Sequence, residues 1–342
     1  MKPPRTETTN ELASGLPESS AFIKQARVHN VVLIVSVLVF LVIWASGLKI
    51  LERLGRLPAP PITATNCIDE KFKFLHELDL RQVNMLTVGS SAAWRSVDLR
   101  PFKRHYGPGL HPLNAAPCYL RMNQIAFLTN FYLNHLPNVR TVLGVFTMRD
   151  FAECATNPTE FFDRHDAARY VFDKAPSWHL YVKNFRPRSF SKDVLLPEMP
   201  IGDNGQEALN VDGYGWWPYH IEPEVRDDVI MDPNCLRALS AVSKNLARRG
   251  VRFIVVLLPP MPSWLERYDP NGVRDRQYRQ FVATALDPSQ AVVIDAAKAL
   301  RPDDKYFTDP AHIHSDSVPS FMQFVLVEIK RAGVQLVLNR AL

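Results

Sequence analysis

Two short blocks, far apart in the 342-residue chain, hold the residue types that acyl-group chemistry needs. The first is NMLTVGSSAAWR, residues 84–95. Its apolar start reads as a strand, Gly89 permits a tight turn, and Ser91 follows the strand end, where an open α/β sheet places its ligands. A serine there can act as a nucleophile, and backbone N–H groups of the small residues after it, Ala92 first, can face an oxyanion. An ordinary strand-to-loop turn with a serine N-cap fits the same residues. The second block is FTDPAHIHSDSV, residues 307–318. Asp309 and His312 are three apart on an Asp-Pro turn, so both side chains can project from one loop, the carboxylate fixing the imidazole tautomer. His314 competes for that role, and a capped helix start with surface histidines, Ser315 or Ser317 capping, is the plainer reading. In this order, with strands between them, the two blocks are more specific than either alone.

Other candidates surround these. Arg95, close to Ser91 in sequence, could meet a sugar carboxylate or phosphate, or be an exposed structural arginine. Trp216 and Trp217, in DGYGWWPYH (212–220), offer flat faces to sugar rings, or pin a loop to the body. Arg149 and Asp150 at a strand end read first as a local ion pair and second as part of a cleft lining.

The elements that must position these residues form an α/β pattern. Val83–Val88, Val139–Phe146, Val251–Leu258 and Ala291–Ile294 are short, β-branched and apolar on both faces, as strands of a buried parallel sheet are. A weaker strand is predicted at Gly109–Asn114. Helical stretches near 118–135, 234–249, 274–285 and 317–331 alternate with them. Asp232-Pro233 opens the second of these, and Arg248, Arg249 and Gly250 close it. This alternation predicts a doubly wound or flavodoxin-like α/β layer. Residues 151–230, rich in proline and aromatics, break the pattern and read as a long insertion over the sheet edge.

Ahead of this body lies VVLIVSVLVFLVIWASGL, residues 31–48, uncharged and reaching about 28 Å as a helix, close to bilayer thickness. The long polar leader before it favours an uncleaved anchor over a signal peptide cut near Ala45-Ser46-Gly47. The predicted organisation is a disordered tail over 1–29, a transmembrane helix over 30–50, a Pro-rich linker over 51–66 and a body over 67–342. Lys2, Arg5, Lys24 and Arg27 before the span nearly balance Lys49, Arg53 and Arg56 after it, so charge does not orient it. The net charge of +5 is scattered, with no basic run of the kind that binds nucleic acid. Cys67, Cys118, Cys154 and Cys235 form no CxxC pair and have no zinc spacing; their wide, irregular intervals favour four buried thiols over two disulfides.

The two blocks together resemble those of the SGNH (GDSL-like) hydrolase superfamily. Gly89-Ser90-Ser91 resembles its first block, with Ser90 in the usual aspartate position, and Asp309-Pro310-Ala311-His312 resembles its last. The VGSS variant, the anchor and VRFIVVLLPP (251–260) look most like the membrane-associated branch that includes the D-alanyl transfer protein of teichoic acid synthesis and the alginate O-acetylation proteins. The resemblance implies a three-layer flavodoxin-like fold with a central parallel sheet over residues 83–330. It implies Ser91 as nucleophile, His312 as base and Asp309 as its orienting carboxylate, with no metal or other cofactor. Two blocks depart from the family: Leu113-Asn114-Ala115-Ala116 lacks its oxyanion glycine and GVFTMRD (144–150) its asparagine, so Asn114, Thr147 or a backbone N–H must substitute. The implied activity is O-acetylation of an exopolysaccharide or envelope glycan, on the periplasmic face of a bacterial inner membrane. A membrane acyltransferase or polysaccharide synthase complex would be the partner. An esterase or deacetylase, or an inactive scaffold of such a complex, are the other functions compatible with the resemblance.

Overall fold

A β-branched run that is apolar at consecutive positions has no polar face to give to water, so it folds as a strand covered on both sides. The computed structural model, which describes residues 19–187, 190, 228–287, 289–300 and 302–336, contains one parallel sheet of five strands. Those over 85–89, 141–146 and 252–257 are such runs. The edge strand over 291–295, expected to be buried on both faces, leaves Val293 41% exposed because no strand flanks it on its outer side.

The chain divides into two units, Met1–Arg56 and Leu57–Leu342. In the first, helix α1 runs Ser19–Arg53. Among the described residues it is the one helix long and apolar enough to cross a membrane, over Phe22–Arg53. It starts at Ser19 rather than residue 30, so part of the stretch expected to be a disordered tail is helical. Ala21, Lys24, Gln25 and Ala26 are strong helix formers, and extending a helix costs far less than nucleating one. Gly55, at φ +64°, closes it, with the Arg56 N–H on the Leu51 carbonyl.

In the second unit, residues 57–65 are not the free spacer expected of a Pro-rich linker. Prolines strip such a stretch of N–H groups and leave carbonyls unpaired, and side chains of the body satisfy them. Lys73 donates to the Leu57 carbonyl, the Tyr181 hydroxyl to Pro58, and the Asn184 amide to Pro61. Asp69 accepts the N–H groups of Ile62 and Thr63 at 3.2 and 2.7 Å.

Helix α2 (Asn66–Glu77) then buries Ile68, Phe72 and Leu75 along one face. Strand β1 (Met85–Gly89), helices α3 (Ser91–Ser96) and α4 (Arg100–Tyr106), strand β2 (Pro112–Asn114), helix α5 (Met122–His135) and strand β3 (Thr141–Phe146) follow. A 3-10 turn at Met148–Phe151 leads to α6 (Arg164–Val171) and α7 (Trp178–Lys183). Beyond residue 228 come α8 (Pro233–Arg248), β4 (Arg252–Leu257), α9 (Pro262–Tyr268), α10 (Val273–Ala285), β5 (Ala291–Asp295), α11 (Ala296–Ala299), a short antiparallel pair β6 (Phe307–Asp309) and β7 (His312–Ile313), and α12 (Val318–Arg331).

The sheet order is β2-β1-β3-β4-β5, so the order reverses between β1 and β3. Alternate residues feed two cores. Leu86, Val88, Val142, Val255 and Leu257 pack with α2, α5, α8 and α10; Met85, Leu143, Val145, Ile254 and Val256 pack with α3, α4 and α12. Gly144 is glycine because a Cβ there would lie 2.6 Å from the Phe146 ring.

The described part of the expected insertion does more than drape an edge. Phe162, Ala167, Tyr170 and Val171 enter the core, with Phe162 edge-on to Phe72 at 5.1 Å. The aromatic loop carrying Trp216 and Trp217 lies outside the described residues. The cysteines correct the thiol expectation: Cys67 is bonded to Cys118 and Cys154 to Cys235, with Cα atoms 6.2 and 5.4 Å apart. Tertiary packing, not sequence interval, brings them within reach.

Candidate active site

Strand β1 delivers Ser91 to the C-terminal edge of the sheet, beside the point where the strand order reverses, which is where such sheets bind ligands. The turn needs Gly89. Its φ is +152°, and a Cβ would lie 2.4 Å from the Ala93 Cβ and 2.6 Å from the Val145 carbonyl oxygen. Ser91 opens α3, whose first N–H groups have no partner within the helix; the first helical bond is from the Trp94 N–H to the Ser90 carbonyl.

The second block folds as the β6–β7 pair, with Asp309 opposite His312 and Pro310-Ala311 between them. The Asp309 carboxylate accepts the Ala311 N–H at 2.8 Å, an Asx turn that locks the carboxylate in place. The Ile313 N–H donates to the Ser96 hydroxyl at 3.4 Å, pinning this loop to α3. The result is one chain of hydrogen bonds. His312 Nδ1 lies 2.8 and 2.9 Å from the two Asp309 oxygens, and His312 Nε2 lies 2.9 Å from Ser91 Oγ. Nδ1–H donates to the carboxylate, so Nε2 is left to accept the serine proton. The two side chains are 15% and 10% exposed, sheltered yet open on the cleft side. His314 does not compete: its Nδ1 accepts the Asp316 N–H at 3.3 Å and caps the 3-10 turn at Ser315–Ser317.

No family model matches this chain, and no curated protein matches it in sequence.

Ser91, Asp309 and His312 line a cleft of about 170 Å³. Of the other expected residues, Thr147 lines it too, but its N–H and hydroxyl both donate to Asp150, at 2.8 and 3.3 Å. Asn114 does not reach the cleft. It is buried, and its amide donates to the carbonyls of Ala93, Trp94 and Val97 while its oxygen accepts the Ala116 N–H. The side chain that was to hold an oxyanion instead staples β2 to α3. Lys71, buried on α2, braces the same joint, donating to the Asn114 carbonyl and lying 4.7 Å over the Trp94 ring. Arg95 is half-buried on α3 and outside the cleft lining. Ala92 is buried, leaving its backbone N–H at the start of α3 as what it can offer.

Asp150 corrects another expectation. It does not pair with Arg149; both residues line the cleft, and Asp150 accepts hydrogen bonds from Thr147 and from the hydroxyl of Ser90, the neighbour of Ser91. Burial pushes its carboxyl above the ordinary range, against those hydrogen bonds and the charge of Arg121. Tyr278 on α10 lines the same floor; burial, and next the negative charge of Asp150, push its phenol up. Position past the end of β3 was the available signal for Asp150, but the adjacent arginine offered a simpler partner. Among the described residues, no group of three or more His, Cys, Asp or Glu side chains could hold a metal ion.

Proposed function

We propose that this chain is a membrane-anchored O-acyltransferase of SGNH type, working through a seryl ester on Ser91. The observation that carries the reading is the Asp309–His312–Ser91 relay, closed by the 2.9 Å contact between His312 Nε2 and Ser91 Oγ in an open cleft. The strand order β2-β1-β3-β4-β5 supports the flavodoxin-like form of the fold. His312 takes the Ser91 proton as the serine oxygen attacks an acyl carbonyl, and Asp309 stabilises the imidazolium. The N–H groups of Ser91 and Ala92 receive the oxyanion, because Asn114 and Thr147 are committed elsewhere. His312 returns the proton to the leaving group. A sugar hydroxyl then gives its proton to His312 and takes the acyl group from Ser91, and His312 returns that proton to the departing Ser91 Oγ.

The anchor favours an acceptor made at a membrane: an exopolysaccharide or envelope glycan, O-acetylated in the periplasm of a bacterium. The acyl group would come from a membrane-bound acyltransferase or a polysaccharide synthase complex. An esterase or deacetylase uses the same relay, since water and a sugar hydroxyl meet the same acyl-enzyme. A non-catalytic scaffold draws support from the structural use of Asn114. The test is product partition: with an acetyl ester as donor and increasing oligosaccharide, a transferase shifts product from free acetate to acetylated sugar. An esterase releases acetate whatever the sugar concentration.

A further inference from the structure

Tyr119 is 68% exposed, and among the described residues it is the one large hydrophobic side chain that is both exposed and part of the cleft lining around Ser91 and His312. Neither its ring nor its hydroxyl meets a partner among the described residues. Its backbone φ is +61°, a conformation that any side chain with a Cβ resists. Packing explains neither the exposure nor the strain, and strain that packing does not explain concentrates where ligands are held.

The chain around it is fixed. Tyr119 follows Cys118, which is bonded to Cys67 on α2. A second strained residue, Glu153 at φ +60°, precedes Cys154, which is bonded to Cys235 on α8. Arg121 ties the two turns together. Its Nε donates to Glu153 at 3.1 Å within an ion pair, and its terminal nitrogen reaches the Arg149 carbonyl at 3.4 Å. One wall of the cleft mouth is therefore a cross-linked rim that presents a single phenol ring among charged side chains.

We propose that Tyr119 is a stacking platform for a sugar ring of the glycan, setting specificity for carbohydrate over small esters. This rests on the acyl-transfer reading of the Ser91 site. A lone aromatic ring in a charged rim is far too small for a protein interface, which needs about 1,000 Å². It matches a pyranose, whose C–H face is apolar and whose edge carries hydroxyl groups for the neighbouring polar side chains. The backbone that carries the ring is held by the rim, so only the torsions of one side chain are ordered on binding.

The test uses the full-length protein in detergent micelles, with partially O-acetylated xylohexaose and, as a non-aromatic small ester, vinyl acetate. In Tyr119→Ala the ratio of kcat/KM for the oligosaccharide to that for vinyl acetate falls about tenfold, through KM; Tyr119→Phe keeps it within about twofold. A ratio that stays constant in Tyr119→Ala, whether both substrates suffer equally or neither does, overturns the proposal. Should the wild type turn over neither substrate, the acyl-transfer reading fails separately, and calorimetric titration with the same xylohexaose decides. Binding weakened about tenfold by Tyr119→Ala supports the platform; equal binding, or none by the wild type, overturns it.

Discussion

At the residue scale, the site depends on where two protons sit. With Nδ1–H held by both Asp309 oxygens, His312 shows Ser91 a bare Nε2. An amide in place of the carboxylate can donate to Nδ1 and reverse the tautomer. Asp309→Asn should therefore lower kcat on an acetyl ester by on the order of 10³–10⁴-fold with KM nearly unchanged, measured in initial rates. Gly89 is a second single-atom constraint. Gly89→Ala puts a methyl group against Ala93 and the Val145 carbonyl, and should cost on the order of 1–3 kcal/mol, read from the urea midpoint. Ser91, Asp309 and His312 were legible in sequence because each sits in a block whose local chemistry announces it: a glycine turn after an apolar strand, and an Asp-Pro turn before a helix. Asp150 and Asn114 were not. Asp150 is partnered by Ser90 from another strand end, and Asn114 by carbonyls of α3, and neither partnership leaves a mark on the adjacent letters.

At the element scale, β1, β3 and β4 were legible because burial on both faces demands uninterrupted apolar runs; β5 carries such a run with Val293 41% exposed. Even the weak expectation at Gly109–Asn114 falls on β2 (Pro112–Asn114). The β6–β7 pair was not foreseen; two residues of pairing are too few for a period. The 57–65 segment differs from its expectation for a related reason: its composition is a linker's, and only its partners make it part of the body. Asp69 is the chief of these. Burial pushes its carboxyl up to about 7, against the pull of the Thr63 N–H and of Arg186, which lies 2.5 Å away. A raised folded pKa means the folded state holds the proton where the unfolded chain releases it. The stability Asp69 contributes is thus full below its unfolded value near 3.8 and is lost as pH rises through about 7. Thermal unfolding of the solubilised protein should show wild type losing more stability between pH 5 and pH 8 than Asp69→Asn, which keeps an acceptor for the two N–H groups without the charge.

At the scale of the whole molecule, one apolar helix and two disulfides bear on where the protein works. Disulfides persist in oxidising compartments, which favours a body outside the cytoplasm and so the orientation that the charge balance leaves open. Protease added to intact spheroplasts should digest the body, and digestion only after lysis would reverse the orientation. The Cys154–Cys235 bond closes a span of 81 residues across the insertion. Replacing both cysteines with serine should lower unfolding free energy by about 2–4 kcal/mol, read from denaturant midpoints.

The central claim is that Ser91 is a nucleophile activated by His312. Labelling the full-length protein with a fluorophosphonate tests it most directly. The wild type should become covalently labelled at Ser91, and Ser91→Ala should not label at all. A folded wild type that stays unlabelled, or a Ser91→Ala variant that labels as well as the wild type, would contradict it.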